Sequence, residues 1–201
     1  MAIETNIWLY WLTCSLAMLV IISNQPLVHS LLNLRVNYNR KNSNYKMLLT
    51  AGWIATFLAS ISYVLFTSKN DVGVYQIPDL LAFSLLNGIL EQFMFFFWFL
   101  LGCYLIKPLV AKNSVWIFVS GYFVFAIFSG FIHALFWLNQ LPEHQPATEI
   151  VIPLLSIMSG IWMWLFWKYK AVLPVIAMHI FVDIITISHL HYSWFESLQI
   201  V

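Results

Sequence analysis

The chain has 201 residues, 62% of them hydrophobic and 8% charged, with a formal net charge of +1. An ordinary soluble domain carries about 25% charged residues, so this composition excludes a water-facing globule. It predicts one all-α transmembrane domain over residues 1–201, solvated by the lipid bilayer, with no nucleic-acid partner.

A membrane-spanning helix needs about 20 mostly apolar residues. Six runs meet or approach this: 7–22, 47–66, 80–106, 115–139, 150–167 and 172–190. The first is short and is predicted to continue past Pro26 as a kinked or interfacial helix through Leu34. Its leading segment, MAIETN, lacks a positive n-region, and no small-residue cleavage site follows, so it reads as a retained anchor. The Asn/Lys/Arg stretch at 33–46 reads as a loop. Cys14 and Cys103 sit in apolar runs at opposite depths, which predicts two small packing residues and no disulfide.

The charges then set the orientation. Arg35, Arg40, Lys41 and Lys46 follow the first span, Lys107 and Lys112 the third, and Lys168 and Lys170 the fifth. Of the nine Lys and Arg, Lys69 alone falls on the other side. Glu4, Asp71, Asp79, Glu143, Glu149 and Glu196 fall with it. Basic loops stay in the cytoplasm, so both termini are expected outside.

Four ionisable residues belong to no loop: Glu91 in the third span, His133 in the fourth, and His179 and Asp183 in the sixth. Such groups are costly at bilayer depth and mark function. At about 1.5 Å per residue, all four fall in a layer about 10–18 Å below the outer boundary. His179 and Asp183 are four apart and share a helix face, as do Ser129 and His133. Asn87 and Gln92 are predicted to support Glu91, and Ser129 to support His133. Gly88 and Gly130 are predicted to allow close helix approach. The plain alternative is that these groups join helices by hydrogen bonds. Four of them at one depth favour chemistry.

The other polar signals read as structural. His189 and His191 are two apart and do not share a helix face, so with His144 they read as interfacial residues and not as a metal site. His29 reads the same way. The ten Trp and nine Tyr read as membrane-interface belt and packing residues, with Trp162, Trp164 and Trp167 beside a basic loop. The tail at 192–201 reads as a short amphipathic piece on the outer surface.

"ILEQFMFF" (89–96), "FSGFIHALF" (128–136) and "LPVIAMHIFVD" (173–183) together resemble the three motifs of the CPBP family, the CAAX-protease and bacteriocin-processing intramembrane proteases. Those motifs are Glu-Glu-x-x-x-Arg, an apolar stretch ending in His, and His-x-x-x-Asn/Asp. They occur here in the family's order, within a motif core at 87–190. The sequence departs from the pattern in three places. Gln92 stands at the second Glu, Phe96 at the Arg, and Ser129 at the aromatic position before the His. With Gln92 neutral, less negative charge needs a cation, so the first two departures compensate each other.

The resemblance implies a glutamic-type intramembrane endopeptidase with no cofactor, in a bacterial cell membrane, acting on a membrane-anchored or exported peptide or protein. Glu91 would be the general base and His133 would position the water. His179 would donate to the developing oxyanion, a contribution of about 3 kcal/mol. Asp183 is expected either to be protonated or to hold His179 as imidazolium. A polar cavity is expected to open outward between the third, fourth and sixth spans. Two alternatives stay open: a zinc-dependent protease or ion carrier built on the two His and two carboxylates, and an inactive relative that binds peptides or partners.

Overall fold

The computed structural model describes residues 3–24, 43–66, 77–109, 113–140 and 147–190. They form six α-helices: α1 (Ile3–Ser23), α2 (Ser43–Phe66), α3 (Ile77–Ile106), α4 (Ser114–Gln140), α5 (Thr148–Tyr169) and α6 (Val172–Leu190). Among the described residues there is no strand. Helices are what lipid demands, because each backbone N–H and C=O must find its partner inside its own segment. Five of the six are long and apolar enough to cross a bilayer, and α6 carries a shorter apolar stretch, Val172–Thr186. At 19 residues, α6 is still about 28 Å long, close to the hydrocarbon thickness. The protein is an integral, multi-pass, all-α membrane protein.

The first span is not short: α1 has 21 residues and begins four residues earlier than the apolar run suggests. The predicted continuation past Pro26 lies outside the described residues. So do His29, His144, His191, the side chain of His189 and the tail at 192–201.

Two apolar clusters show that the helices alternate in direction. One gathers Ile7 near the start of α1, Tyr63 near the end of α2, Leu80 and Phe83 at the start of α3, Trp137 near the end of α4 and Val151 at the start of α5. The other gathers Ile21, Tyr45, Cys103, Ile117, Phe166 and Val175, from the opposite ends of all six helices. Lys46, Lys107, Lys168 and Lys170 lie at the end marked by the second cluster, as the charge pattern requires. Cys14 and Cys103 are both buried and free, as expected.

Helix α3 is the centre, packing against α1, α4 and α6, while α5 packs against α2, α4 and α6. Small residues set the approach. A Cβ on Gly88 would lie 2.9 Å from the Ile180 backbone, so α3 and α6 touch there almost backbone to backbone. Gly121 does the same for α4, where a Cβ would stand 2.8 Å from the Phe99 carbonyl oxygen. Gly130 differs from its sequence reading. A Cβ there would meet nothing nearer than 3.4 Å, an ordinary contact, so it is not a crossing point. A tight turn joins α5 to α6. Lys170 adopts a left-handed conformation (φ 53°) and its N–H closes on the Phe166 carbonyl at 2.9 Å, which fixes where α6 begins.

Candidate active site

The close contact at Gly88 and Ile180 is what builds the site. Glu91 lies three residues beyond Gly88, and His179 and Asp183 lie on either side of Ile180. All three side chains are therefore directed into the space beside that crossing. Glu91, His179 and Asp183 are each buried. Together with His133 they line one cavity of about 570 Å³, a size suited to a ligand or an extended peptide. Of the four residues singled out by their depth, Glu91, His179 and Asp183 therefore meet, and His133 faces the same cavity.

Three donors hold the Glu91 carboxylate. The Tyr10 hydroxyl donates to Oε1 at 2.7 Å, and Asn87 Nδ2 donates to Oε2 at 2.8 Å. His179 Nε2 faces Oε2 at 3.5 Å. Asn87 does more than support Glu91. The same amide nitrogen donates to Asp183 Oδ2 at 3.1 Å, and its oxygen accepts from Trp11 Nε1 at 3.0 Å. One uncharged side chain thus bridges two carboxylates and anchors α1.

His179 is fixed on both sides. Its Nδ1 stands 3.0 Å from Gln92 Oε1, and since that oxygen can only accept, Nδ1 carries a proton. Its Nε2 faces Glu91 and, at 3.9 Å, Asp183 Oδ1. A bare lone pair facing two carboxylates is unfavourable, so the geometry calls for an imidazolium there. The ring lies flat on Phe95, with centroids 5.6 Å apart and planes 4° apart, and against Trp162.

His179 differs from the sequence reading. It is held between Gln92 and Glu91, so it has no proton aimed into open cavity for an oxyanion. Asp183 stands in ionic contact with His179 Nε2 at 3.9 Å and accepts its hydrogen bond from Asn87, an arrangement compatible with the second option for it, holding His179 as imidazolium. The difference at His179 arises because Gln92 occupies Nδ1 from the side away from Asp183.

His133 is half-buried and hangs from its own helix. Its Nδ1 lies 2.7 Å from the Ser129 carbonyl oxygen and 3.5 Å from Ser129 Oγ. The carbonyl can only accept, so Nδ1 carries a proton. Ser129 therefore supports His133 mainly through its backbone. Phe95 and Trp137 pack on the ring.

The cavity is wider than the expected wedge between the third, fourth and sixth spans. All six helices line it, including Tyr10 and Trp11 of α1, Tyr63 of α2 and Trp162 of α5. It runs toward Asn6 and Asn139, at the ends of α1 and α4 remote from the basic loops. Trp162 corrects its reading as a belt residue. It is buried, with Nε1 donating to Thr56 Oγ1 at 3.0 Å. Tyr10 and Trp11 escaped the sequence reading because they were grouped with the interfacial aromatics. Depth was the available signal: Tyr10 lies about 10 Å from the start of α1, in the layer already marked by Glu91.

At the family's Arg position, Phe96 is fully buried and stacks on Phe166 with centroids 4.0 Å apart. It points into the apolar core and makes no contribution to the polar network. Among the described residues, no three His, Cys, Asp or Glu side chains are grouped so as to hold a metal ion. No protein-family model, curated protein or solved structure matches the chain.

Proposed function

We propose that this protein is an intramembrane endopeptidase of the glutamic type, resembling the CPBP family, that cuts a membrane-anchored or exported substrate. One observation carries the reading. Glu91, His133, His179 and Asp183, drawn from three helices, line a single cavity at the layer their depth predicts. Interhelical hydrogen bonding alone does not call for a cavity at that point.

Glu91 is the general base. Its carboxylate accepts from Tyr10 and Asn87, and with about four lone-pair sites in all it retains one for water. His133 Nε2, in its neutral form, accepts a hydrogen bond from the second hydrogen of that water, which stays on the oxygen, so the attacking oxygen is held from two sides. The imidazolium of His179 offsets the charge of Glu91 and Asp183 and keeps the carboxylate directed into the cavity. Gln92 stands where the family has a second Glu, and its neutrality removes the need for the Arg that Phe96 replaces.

The cavity runs away from the basic loops, which favours cleavage near the outer leaflet of a cell membrane with both termini outside. That position suits C-terminal sorting tags or exported peptides of a bacterium better than cytosolic tails. The test compares membrane proteomes of cells carrying the wild type or Glu91→Ala. The variant should accumulate uncut precursors; identical proteomes would refute the reading.

The burial of Phe96 favours one second reading, a relative that binds peptides without cutting them. In that case Glu91→Gln leaves the phenotype intact, while filling the cavity with Met158→Trp abolishes it.

A further inference from the structure

Addition of water to a peptide carbonyl moves negative charge onto the carbonyl oxygen, and that oxygen needs a donor in place. Most donors facing the cavity are committed. Asn87 Nδ2 holds both carboxylates, and Trp11 Nε1 holds Asn87. Ser159 Oγ donates to the Ser156 carbonyl and Thr186 Oγ1 to that of Asp183. His179 is held between Gln92 and Glu91.

The Tyr10 hydroxyl differs from these. It lines the cavity and touches the base itself, 2.7 Å from Glu91 Oε1. Its hydrogen turns about the phenolic C–O bond without any movement of the ring. The ring is held in place, because Cys14 and Ala17, one and two turns along the same face of α1, pack against Met94 of α3.

We propose that Tyr10 is a catalytic residue, the hydrogen-bond donor to the oxyanion; this rests on the hydrolytic reading of the site. Before reaction the hydroxyl donates to the Glu91 carboxylate. Glu91 takes a proton from water, the water oxygen bonds to the carbonyl carbon, and the carbonyl π pair becomes the oxyanion lone pair. Glu91 is now a neutral acid and a weaker acceptor, while the oxyanion beside it is a stronger one. The hydroxyl turns from the first to the second and keeps its own proton. In the collapse the C–N bond breaks, Glu91 returns its proton to the leaving nitrogen, and the carbonyl re-forms as a carboxylic acid. The pocket holds the same net charge throughout. The donor that stabilised the charge on Glu91 follows it to the substrate.

The experiment uses the full chain in lipid nanodiscs. The substrate probe is a pool of quenched-fluorescent membrane-inserting peptides, and the analogue is a peptidyl trifluoromethyl ketone, whose hydrate presents an oxyanion. Tyr10→Phe should lower kcat about 100-fold, change KM less than about twofold, and weaken analogue binding by a similar factor to kcat. Replacing Tyr10 with 3-fluorotyrosine keeps shape and fold while making the phenol a stronger donor, and analogue affinity should then rise.

Tyr10→Phe with kcat within about threefold of wild type would overturn the proposal. So would a loss of kcat with unchanged analogue affinity, which would mean that Tyr10 acts only through Glu91. If the wild type cuts no more of the pool than Glu91→Gln does, the hydrolytic reading itself fails, an outcome distinct from either of these.

Discussion

Replacing Asn87 with Ala separates a charged network from ordinary helix joining. The Asn87 side chain donates to Glu91 at 2.8 Å and to Asp183 at 3.1 Å, and accepts from Trp11 at 3.0 Å. A neutral hydrogen bond between membrane helices contributes about 0.6 kcal/mol, because the unfolded chain in lipid finds other partners. Bonds to charged groups contribute about 1.5–3 kcal/mol each, and an orphaned buried N–H costs about 1–3 kcal/mol. Halving that total for partners found in the unfolded state still leaves a loss of about 3 kcal/mol. Reversible unfolding in mixed micelles, followed by Trp fluorescence, measures it. Asn139→Ala is the control, since Asn139 is exposed and its amide donates to the Leu135 carbonyl of its own helix. The sign of a second substitution is more telling than the size of the first. In the Asn87→Ala background the two carboxylates lose the amide they share and have one imidazolium between them, so Asp183→Asn should restore about 1 kcal/mol or more. If Asn87→Ala costs no more than about 0.6 kcal/mol, or the two losses simply add, the charged network does not exist.

Glu91→Gln keeps the size of the side chain and removes the base, so cleavage of membrane peptides should fall to the level of an empty vector while the thermal midpoint in detergent shifts little. Gln92→Glu would place a third carboxylate around one imidazole, with Phe96 offering no cation. It should destabilise the fold by about 3 kcal/mol or more, read by the same micelle titration. Gly88→Leu would drive a side chain into the Ile180 backbone and should abolish activity by parting α3 from α6, whereas Gly130→Ala should leave both activity and stability unchanged. Chelators should not affect peptide cleavage, because Gln92 holds one face of His179 and the Ser129 carbonyl holds His133; inactivation by a chelator and recovery with zinc would refute this arrangement.

The architecture was legible because a bilayer imposes a simple rule on sequence. Apolar runs of the right length, separated by loops with alternating charge, gave six spans, and the structure has helices at all six. The four central residues were legible because ionisable groups stand out in an apolar background and helical rise converts position into depth. Partners were harder to read. Tyr10 and Trp11 bear on the site as directly as His179 does, yet aromatic residues are common in membrane helices for other reasons and carry no charge to mark them. The role of Gln92 depends on the rotation of α6 about its axis, which no spacing within α3 reveals. Gly88 and Gly130 look alike in sequence; they differ in what lies opposite, the Ile180 backbone at 2.9 Å in one case and the Ile152 side chain at an ordinary 3.4 Å in the other.

The two halves of the bundle do different work, and the division explains where the site lies. On the side of the basic loops, Phe96, Phe99, Phe125, Phe166 and Met163 are almost wholly buried and pack into one continuous apolar cluster. From Phe96 to Lys107 this plug is about 16 Å deep along α3. On the other side the cavity descends between the helix ends to Phe95, which forms its floor beneath His179 and His133. On the proposed hydrolytic reading the centre must admit water yet must not conduct protons across, and a cavity that stops above an apolar aromatic cluster meets both needs. Deeper placement would breach the plug, and shallower placement would cost Glu91 the close donors, Tyr10 and Asn87, that direct it.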